Sequence, residues 1–447
     1  MSTVTRRSRF AFGQQGLVLM ACGLALYFTQ RQWRFDGAFR AQRFGAAVAV
    51  WPQNAAGWRM LSQQADQSSA ESVQDAQRAV RDSPDDWQNW SALGAAQLAS
   101  GNVGAARSAM AEMGARARIF DAHWELANLY LVTNDEMGYW QQLSRAFAVE
   151  LPTAIYGSLS FVYPRALHDP SRLLRLADES CRAATSPGQC VVIRQQLLFL
   201  LIDKYNWPLA VREWEVLRAQ PLTASQREDV GVEADYFLKR LIADHRGMLV
   251  HTVWSELLQN RLVPADQLPA AADRIVNGQF SAPLQPTAFG WNVCGTCGPV
   301  VAREPMASVG SGRDWALSME MDGSAGESGV LAWQSLLLDP GTHYRLTFTA
   351  QRADESSETG LVIRVVNSEG HPCMAADLSA GTANKRYSAA FQTASNAQDA
   401  SPDSYRLEIY YQRPSGQVML RGVELLSGMF LTSINAPEAP KADGGIC

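Results

Sequence analysis

Two hydrophobic periods divide this chain. From about residue 34 to residue 272, apolar positions recur at helical spacing; after residue 275 they recur every second residue. The clearest part of the second region is residues 333–349, WQSLLLDPGTHYRLTFT. Tyr344, Leu346 and Phe348 alternate there with Arg345, Thr347 and Thr349, which gives a sheet one buried and one wet face. Before them lies the apolar run Leu336-Leu337-Leu338, and between the two Asp339-Pro340-Gly341-Thr342 reads as a turn. The same period predicts strands over residues 291–293, 300–304, 315–321, 330–338, 343–351, 361–366, 386–393, 405–412 and 418–426. Gly/Ser/Asp-rich loops such as 322–329 and 353–360 part them, so an antiparallel β-sandwich or jelly roll is expected over residues 275–428.

The helical region repeats. Trp58, Trp90 and Trp124 are 32 and 34 residues apart, and each opens a helical pattern, the clearest being Trp90-Ser91-Ala92-Leu93-Gly94. Ala47 precedes Pro52 and Ala79 precedes Pro84 by the same five residues, and Pro152 lies 68 residues after Pro84. Over residues 34–154 this resembles the tetratricopeptide repeat, in which small-residue faces let successive helical hairpins stack. The third unit departs from the pattern, with Arg118 where the proline would stand. On this resemblance the tryptophans pack between helices and the all-α solenoid serves as a protein-binding scaffold. Residues 155–274 read as its irregular continuation, with helices over 173–184, 190–203, 208–219, 225–245, 249–262 and 264–275 separated by prolines.

Composition narrows the function. A chain of 447 residues exceeds one ordinary core, so several domains are expected. A net charge of −5 without a long basic run argues against nucleic acid as a partner. Six scattered histidines, with no HExxH and no Cys/His ligand cluster, imply no metal and no cofactor. Residues 10–29 are the membrane candidate, roughly long enough to span as a helix, with residues 1–9 as a cytoplasmic N-terminus. Arg6, Arg7 and Arg9 precede it, and Arg31, Arg34, Arg40 and Arg43 follow it. An uncleaved signal anchor is the expected reading. A cleaved signal peptide and a lipoprotein signal at Leu19-Met20-Ala21-Cys22 are the alternatives.

Among seven cysteines, Cys181 and Cys190 flank a turn and are candidates for a disulfide. Cys294 and Cys297 form a CxxC, for which a structural disulfide or free thiols are expected over redox or zinc chemistry. No nucleophile elbow, phosphate loop or Asp-x-Asp pair is present, and Asp354, Glu355 and Glu358 sit together in a Ser-rich loop read as a solvated turn. The protein is therefore expected not to be an enzyme.

A second resemblance is carried by Asn277-Gly278-Gln279-Phe280, Phe289-Gly290-Trp291, Gln334 and Asp339-Pro340-Gly341-Thr342-x-Tyr344. Together they look like a carbohydrate-binding-module jelly roll. Ser281 replaces the glutamate that usually follows the phenylalanine, and Arg421-Gly422 stands where the last strand often carries aspartates, so a structural calcium is not expected. Pyranose rings stack their C–H faces on flat aromatics. Trp291, Trp333 and Tyr410 are accordingly candidate platforms, with core packing the favoured reading for Trp291 and Trp333 and exposure for Tyr410, and Arg352, Arg364 and Glu320 are candidate polar partners. The order of anchor, solenoid, sandwich and a disordered tail over 429–447 resembles membrane-anchored accessory proteins of bacterial exopolysaccharide and surface-glycan assembly. That resemblance implies a single-pass inner-membrane protein with its bulk in the periplasm, binding polysaccharide and envelope proteins. The alternative is a purely protein-binding envelope assembly factor whose sandwich is structural.

Overall fold

The computed structural model describes residues 4–64, 68–149, 152–264, 267–269, 272–306, 314–322, 326–352, 360–378, 385–395, 403–413 and 421–435. Its chain divides into two compact units, Met1–Leu200 and Leu201–Cys447.

The first unit is helical. It opens with α1 (Val4–Arg40) and α2 (Phe44–Val50), followed by the hairpins α3 (Ala55–Ser62) with α4 (Ser69–Asp82), α5 (Trp87–Ala99) with α6 (Val103–Arg116), and α7 (Phe120–Val132) with α8 (Glu136–Phe147). Next come α9 (Pro152–Val162), a 3₁₀ turn, α10 (Ser171–Ala183) and α11 (Pro187–Asp203). Asn54, Asp86, Asn102 and Asp135 cap the helices they precede by accepting amide hydrogens of the first turn. Ala76, Ala79, Ala106, Ala122 and Ala127 are fully buried, because only small side chains let neighbouring helices approach closely.

The repeat spacing has a chemical basis. Trp58 Nε1 donates to the Pro52 carbonyl at 2.6 Å, and Trp90 Nε1 donates to the Pro84 carbonyl at 2.7 Å, the same six residues back. The second helix of each hairpin then lays an arginine over the ring, Arg78 at 4.7 Å from the Trp58 centroid and Arg116 at 5.0 Å from that of Trp90. The third unit has no such proline, and the Trp124 ring lies between Phe120 and Phe161, at 5.5 and 5.8 Å.

A buried polar pair tests the packing of this unit. His123 Nδ1 lies 3.0 Å from Gln142 Oε1, and burial lowers the histidine pKa from its ordinary 6.5. As the pH falls, the unfolded chain takes up the proton first. The stability contributed by the neutral ring is therefore full above pH 6.5 and is lost as the pH drops through the folded value. His123→Gln is expected to flatten the acid limb of the unfolding curve, followed by far-ultraviolet circular dichroism. An unchanged acid limb would show that His123 does not set it.

Helix α1 contains the expected membrane segment, but only from Met20 onward are its side chains described. Among the described residues no helix is long and apolar enough to cross a membrane.

The second unit holds α12 (Trp207–Arg218), α13 (Ala224–Ala243) and α14 (Gly247–Gln259), then, among the described residues, ten strands. The three helices share a compact unit with the strands. Two contacts join them to the segment before β1: Trp254 meets Phe289 at 4.5 Å between ring centroids, and Asp235 Oδ1 accepts the Ala288 amide at 2.6 Å. The helix expected over 264–275 is absent from the described residues. Pro269 instead bridges to Val276 and Asp273 to Thr432, and Ala272 has φ 67°. Asp273 explains the irregular path. Its buried Oδ1 accepts the amides of Arg274, Ile275 and Leu431 at 2.7, 3.0 and 2.8 Å, and burial raises its pKa above the ordinary carboxylate value.

The strands are β1 (Asn292–Val293), β2 (Val300–Pro305), β3 (Trp315–Asp322), β4 (Ser328–Leu338), β5 (His343–Arg352), β6 (Leu361–Val366), β7 (Pro372–Asp377), β8 (Lys385–Gln392), β9 (Asp403–Gln412) and β10 (Arg421–Ile434). They form two five-stranded sheets, β1-β4-β9-β6-β7 and β2-β3-β10-β5-β8, paired antiparallel throughout and packed over one core. β4 and β5, consecutive in the chain, lie in opposite sheets, and Asp339–Thr342 is the corner between them. Tyr344 latches this corner: its hydroxyl accepts the Asp339 amide at 3.0 Å and donates to Asp339 Oδ2 at 3.2 Å. Gln334, fully buried, mimics a peptide group. It accepts the Val276 amide at 3.0 Å and donates to the Val276 carbonyl at 2.8 Å.

Two expectations are corrected. β7 was not foreseen, because its burial does not alternate. Residues 429–434, expected in the tail, are strand: Gly428 at φ 58° permits an irregularity, after which Phe430 to Ile434 resume pairing with β5. Met429 and Leu431 are fully buried there. Residues 436–447, and Asp354, Glu355 and Glu358, lie outside the described residues.

Candidate functional site

Alternation along β4 sends Leu336 and Leu338 into the core and turns Trp333 and Ser335 to the opposite face. Along β9, Leu407, Ile409 and Tyr411 point inward, so Arg406, Glu408 and Tyr410 share the outer face with Trp333. Pairing aligns Asn292, Trp333, Glu408, Arg364 and Ala375 in one row across the whole sheet. Arg364 Nε donates to Glu408 Oε2 at 2.7 Å, and Arg406 Nη2 pairs with the other carboxylate oxygen. The Arg364 guanidinium also lies 3.6 Å from the Tyr410 ring centroid. Glu408 is fully buried beneath these neighbours, whereas the Arg406 side chain is 47% exposed. Arg406, beside the row, adds a second arginine against the one glutamate.

Beside this row a cavity of about 500 Å³ is lined by Trp333, Ser335, Arg406, Asn367, Lys239 and His245, among others. One wall is the end of α13. Lys239 is held in place by Asp235, at 2.8 Å, and by the Pro286 carbonyl. The wall and the loop carrying Ala288 are thus fixed to each other through Asp235.

Three sequence candidates, Trp333, Tyr410 and Arg364, therefore share one face. The other three do not reach it. Trp291 is 1% exposed and packs on Phe280 at 5.5 Å between centroids, so it is core and no platform. Arg352 is also buried: its Nε pairs with Glu424 at 3.3 Å and its Nη2 reaches the Leu378 carbonyl. β5 carries Arg352 in phase with Tyr344, Leu346, Phe348 and Ala350, all facing the core, so no ligand can reach it. Glu320 is exposed, but on β3 of the other sheet. Glu408 and Arg406 were missed by sequence reasoning. Their signal was phase, since both share parity with Tyr410 in β9.

Cys181 is bonded to Cys190 and Cys294 to Cys297, and Cys373 is also disulfide-bonded. Among the described residues no group of three or more His, Cys, Asp or Glu side chains is placed to hold a metal ion.

No known family model matches this sequence. No curated protein matches it either. Among solved structures, it is similar to a carbohydrate-binding module described as "CBM4 structure and function", at 10% identity and TM-score 0.27, covering 36% of this chain and 99% of that one. The enzymatically active domain of bacteriophage CBA120 tailspike protein 4 is similar at 13% identity and TM-score 0.27, over 36% of this chain and 22% of that one. The Cut9–Hcn1 hetero-tetramer of APC/C is similar at 11% identity and TM-score 0.26, over 51% of this chain and 46% of that one. This chain thus spans less than half the length of the tailspike and Cut9–Hcn1 chains. Likenesses of this size say nothing about what it binds.

Proposed function

We propose that this protein is a non-catalytic, membrane-tethered scaffold outside the cytoplasm, holding glycan on the outer face of the β1-β4-β9-β6-β7 sheet and a protein partner on its helical unit. Assembly or export of a surface polysaccharide is the setting this reading fits. The observation that carries it is Trp333 beside the Arg364–Glu408–Arg406 row, at the edge of a cavity of about 500 Å³. An indole offers a flat apolar surface for a pyranose C–H face, and guanidinium groups supply planar donors for ring hydroxyls. Few polar groups around an apolar floor is the usual composition of a small-molecule site.

Binding without cleavage is favoured because Glu408, the carboxylate in the row, is fully buried with both oxygens taken by arginines. Tethering is supported by Met20, Leu24, Leu26 and Phe28 on α1, which are 65, 52, 72 and 51% exposed. Apolar side chains left bare along one helix seek an apolar surrounding. The disulfides fit an oxidising compartment.

Affinity gel electrophoresis of the full chain in a panel of polysaccharides tests the glycan half. At least one polymer is expected to retard the protein. Trp333→Ala is expected to weaken that binding roughly thirtyfold, as removal of a central aromatic contact does elsewhere. It should leave the melting temperature nearly unchanged, because the ring is not in the core. Retardation by no polymer, or equal retardation of the variant, would overturn the assignment.

A further inference from the structure

The helical unit carries a groove of its own. It encloses about 810 Å³ and runs along α8 and α10. Four arginines line it, Arg145, Arg172, Arg175 and Arg182, against Glu136 and Glu179. Its apolar part is Trp140 and Leu176, with Met137 at the rim, 82% exposed.

The arginines divide into two kinds. Arg172 pairs with Glu136 and lies 5.5 Å over the Trp140 ring, so it is committed to shaping the groove. Arg175 is tied to Asp169 and donates to Ser171 Oγ at 3.1 Å. Arg145 and Arg182 have no carboxylate partner among the described residues. Arg182 reaches only a backbone carbonyl, that of Asp178, at 3.4 Å. Both are exposed. Their forked donors match carboxylates in paired geometry, and among the described residues no carboxylate takes up that capacity.

We propose that this groove docks an acidic segment of a partner protein, its carboxylates on Arg145 and Arg182 and an apolar side chain against Trp140 and Met137. The proposal rests on reading the helical unit as a protein-binding scaffold, and it names the place and the chemistry of the partner. Charge complementarity selects the acidic ligand. The apolar part selects peptide over acidic polysaccharide, because Arg172 already covers a face of the Trp140 ring on which a sugar would stack, whereas exposed Met137 beside it suits an apolar side chain. An exposed, flexible thioether also adapts to side chains of different shape.

Fluorescence anisotropy on the full chain tests this with a short labelled peptide of glutamates punctuated by phenylalanine and leucine. Parallel arms use the same peptide with lysines for glutamates and a labelled oligogalacturonate. The acidic peptide alone is expected to bind. The double variant R145E/R182E is expected to weaken it roughly tenfold or more, with an unchanged circular dichroism spectrum. Absence of binding, equal binding by the double variant, or equal binding of the oligogalacturonate would overturn the proposal. Crosslinking of the full chain to envelope proteins separates the two levels. Crosslinks that survive R145E/R182E sink the groove and keep the scaffold, whereas no crosslinks even in the unmodified chain sink both.

Discussion

Gly278→Ala is expected to unfold the sandwich, at a cost of about 3 kcal/mol or more. A Cβ built on Gly278 would lie 2.0 Å from the Met429 carbonyl oxygen, a backbone atom that cannot swing aside. The same glycine is fixed from the other direction, because its carbonyl accepts the Met429 amide at 2.9 Å. Met429 sits within the irregular stretch of β10, between Ser427 and Phe430, so moving it would disturb the central strand of a sheet. On either side, Asn277 and Phe280 hold φ of 51° and 53°, and the Asn277 amide group bonds both backbone polar groups of Ala282. Urea denaturation followed by tryptophan fluorescence would measure the loss. An alanine variant with an unchanged midpoint would show that the two backbones are not in this contact.

Trp291→Ala is expected to cost about 3–5 kcal/mol, the range for removing a large aromatic ring from a packed core. Trp291 is 1% exposed and lies against fully buried Phe280. Any loss of glycan binding in this variant should therefore track the fraction unfolded and disappear at low temperature in stabilising buffer. Trp333→Ala should show the reverse, lost binding on an intact fold. Urea midpoints and gel retardation measured on both variants separate the cases. If Trp291→Ala lost binding with no change in stability, the two tryptophans would have to exchange roles.

Most of the strands were legible because a sheet with one buried face writes its period into the sequence. Leu361–Val366 was delimited outright, and several other strands within a residue or two. β7 was hidden because Cys373 and Met374 are both buried, which breaks the alternation. The segment 264–275 misled for a different reason. Its apolar spacing suits a helix, but the buried Asp273 carboxylate gathers three amides and dictates a non-repeating path, a tertiary effect that periodicity does not register. The site was half legible. Phase puts Tyr410 on an accessible face, but Trp333 stands in an apolar strand that reads as core, and that both share one sheet with Arg364 follows from the pairing order, which joins β4 to β9 and β9 to β6 across long stretches of chain. Arg352 misled because a charged side chain ordinarily marks the wet face. Here it continues the inward series of β5 and meets Glu424, also facing inward, on the neighbouring strand.

Strand order also bears on how the molecule is made. β9 lies between β4 and β6, and β10 between β3 and β5, so the two latest strands are the middle ones of their sheets. During synthesis or export, the four strands that flank them must each wait with a bare amide and carbonyl edge until these two emerge. A chain interrupted before residue 403 would present four such edges, on β3, β4, β5 and β6. For this protein the vulnerable moment is delivery of residues 403–434, and a holding chaperone is most needed then.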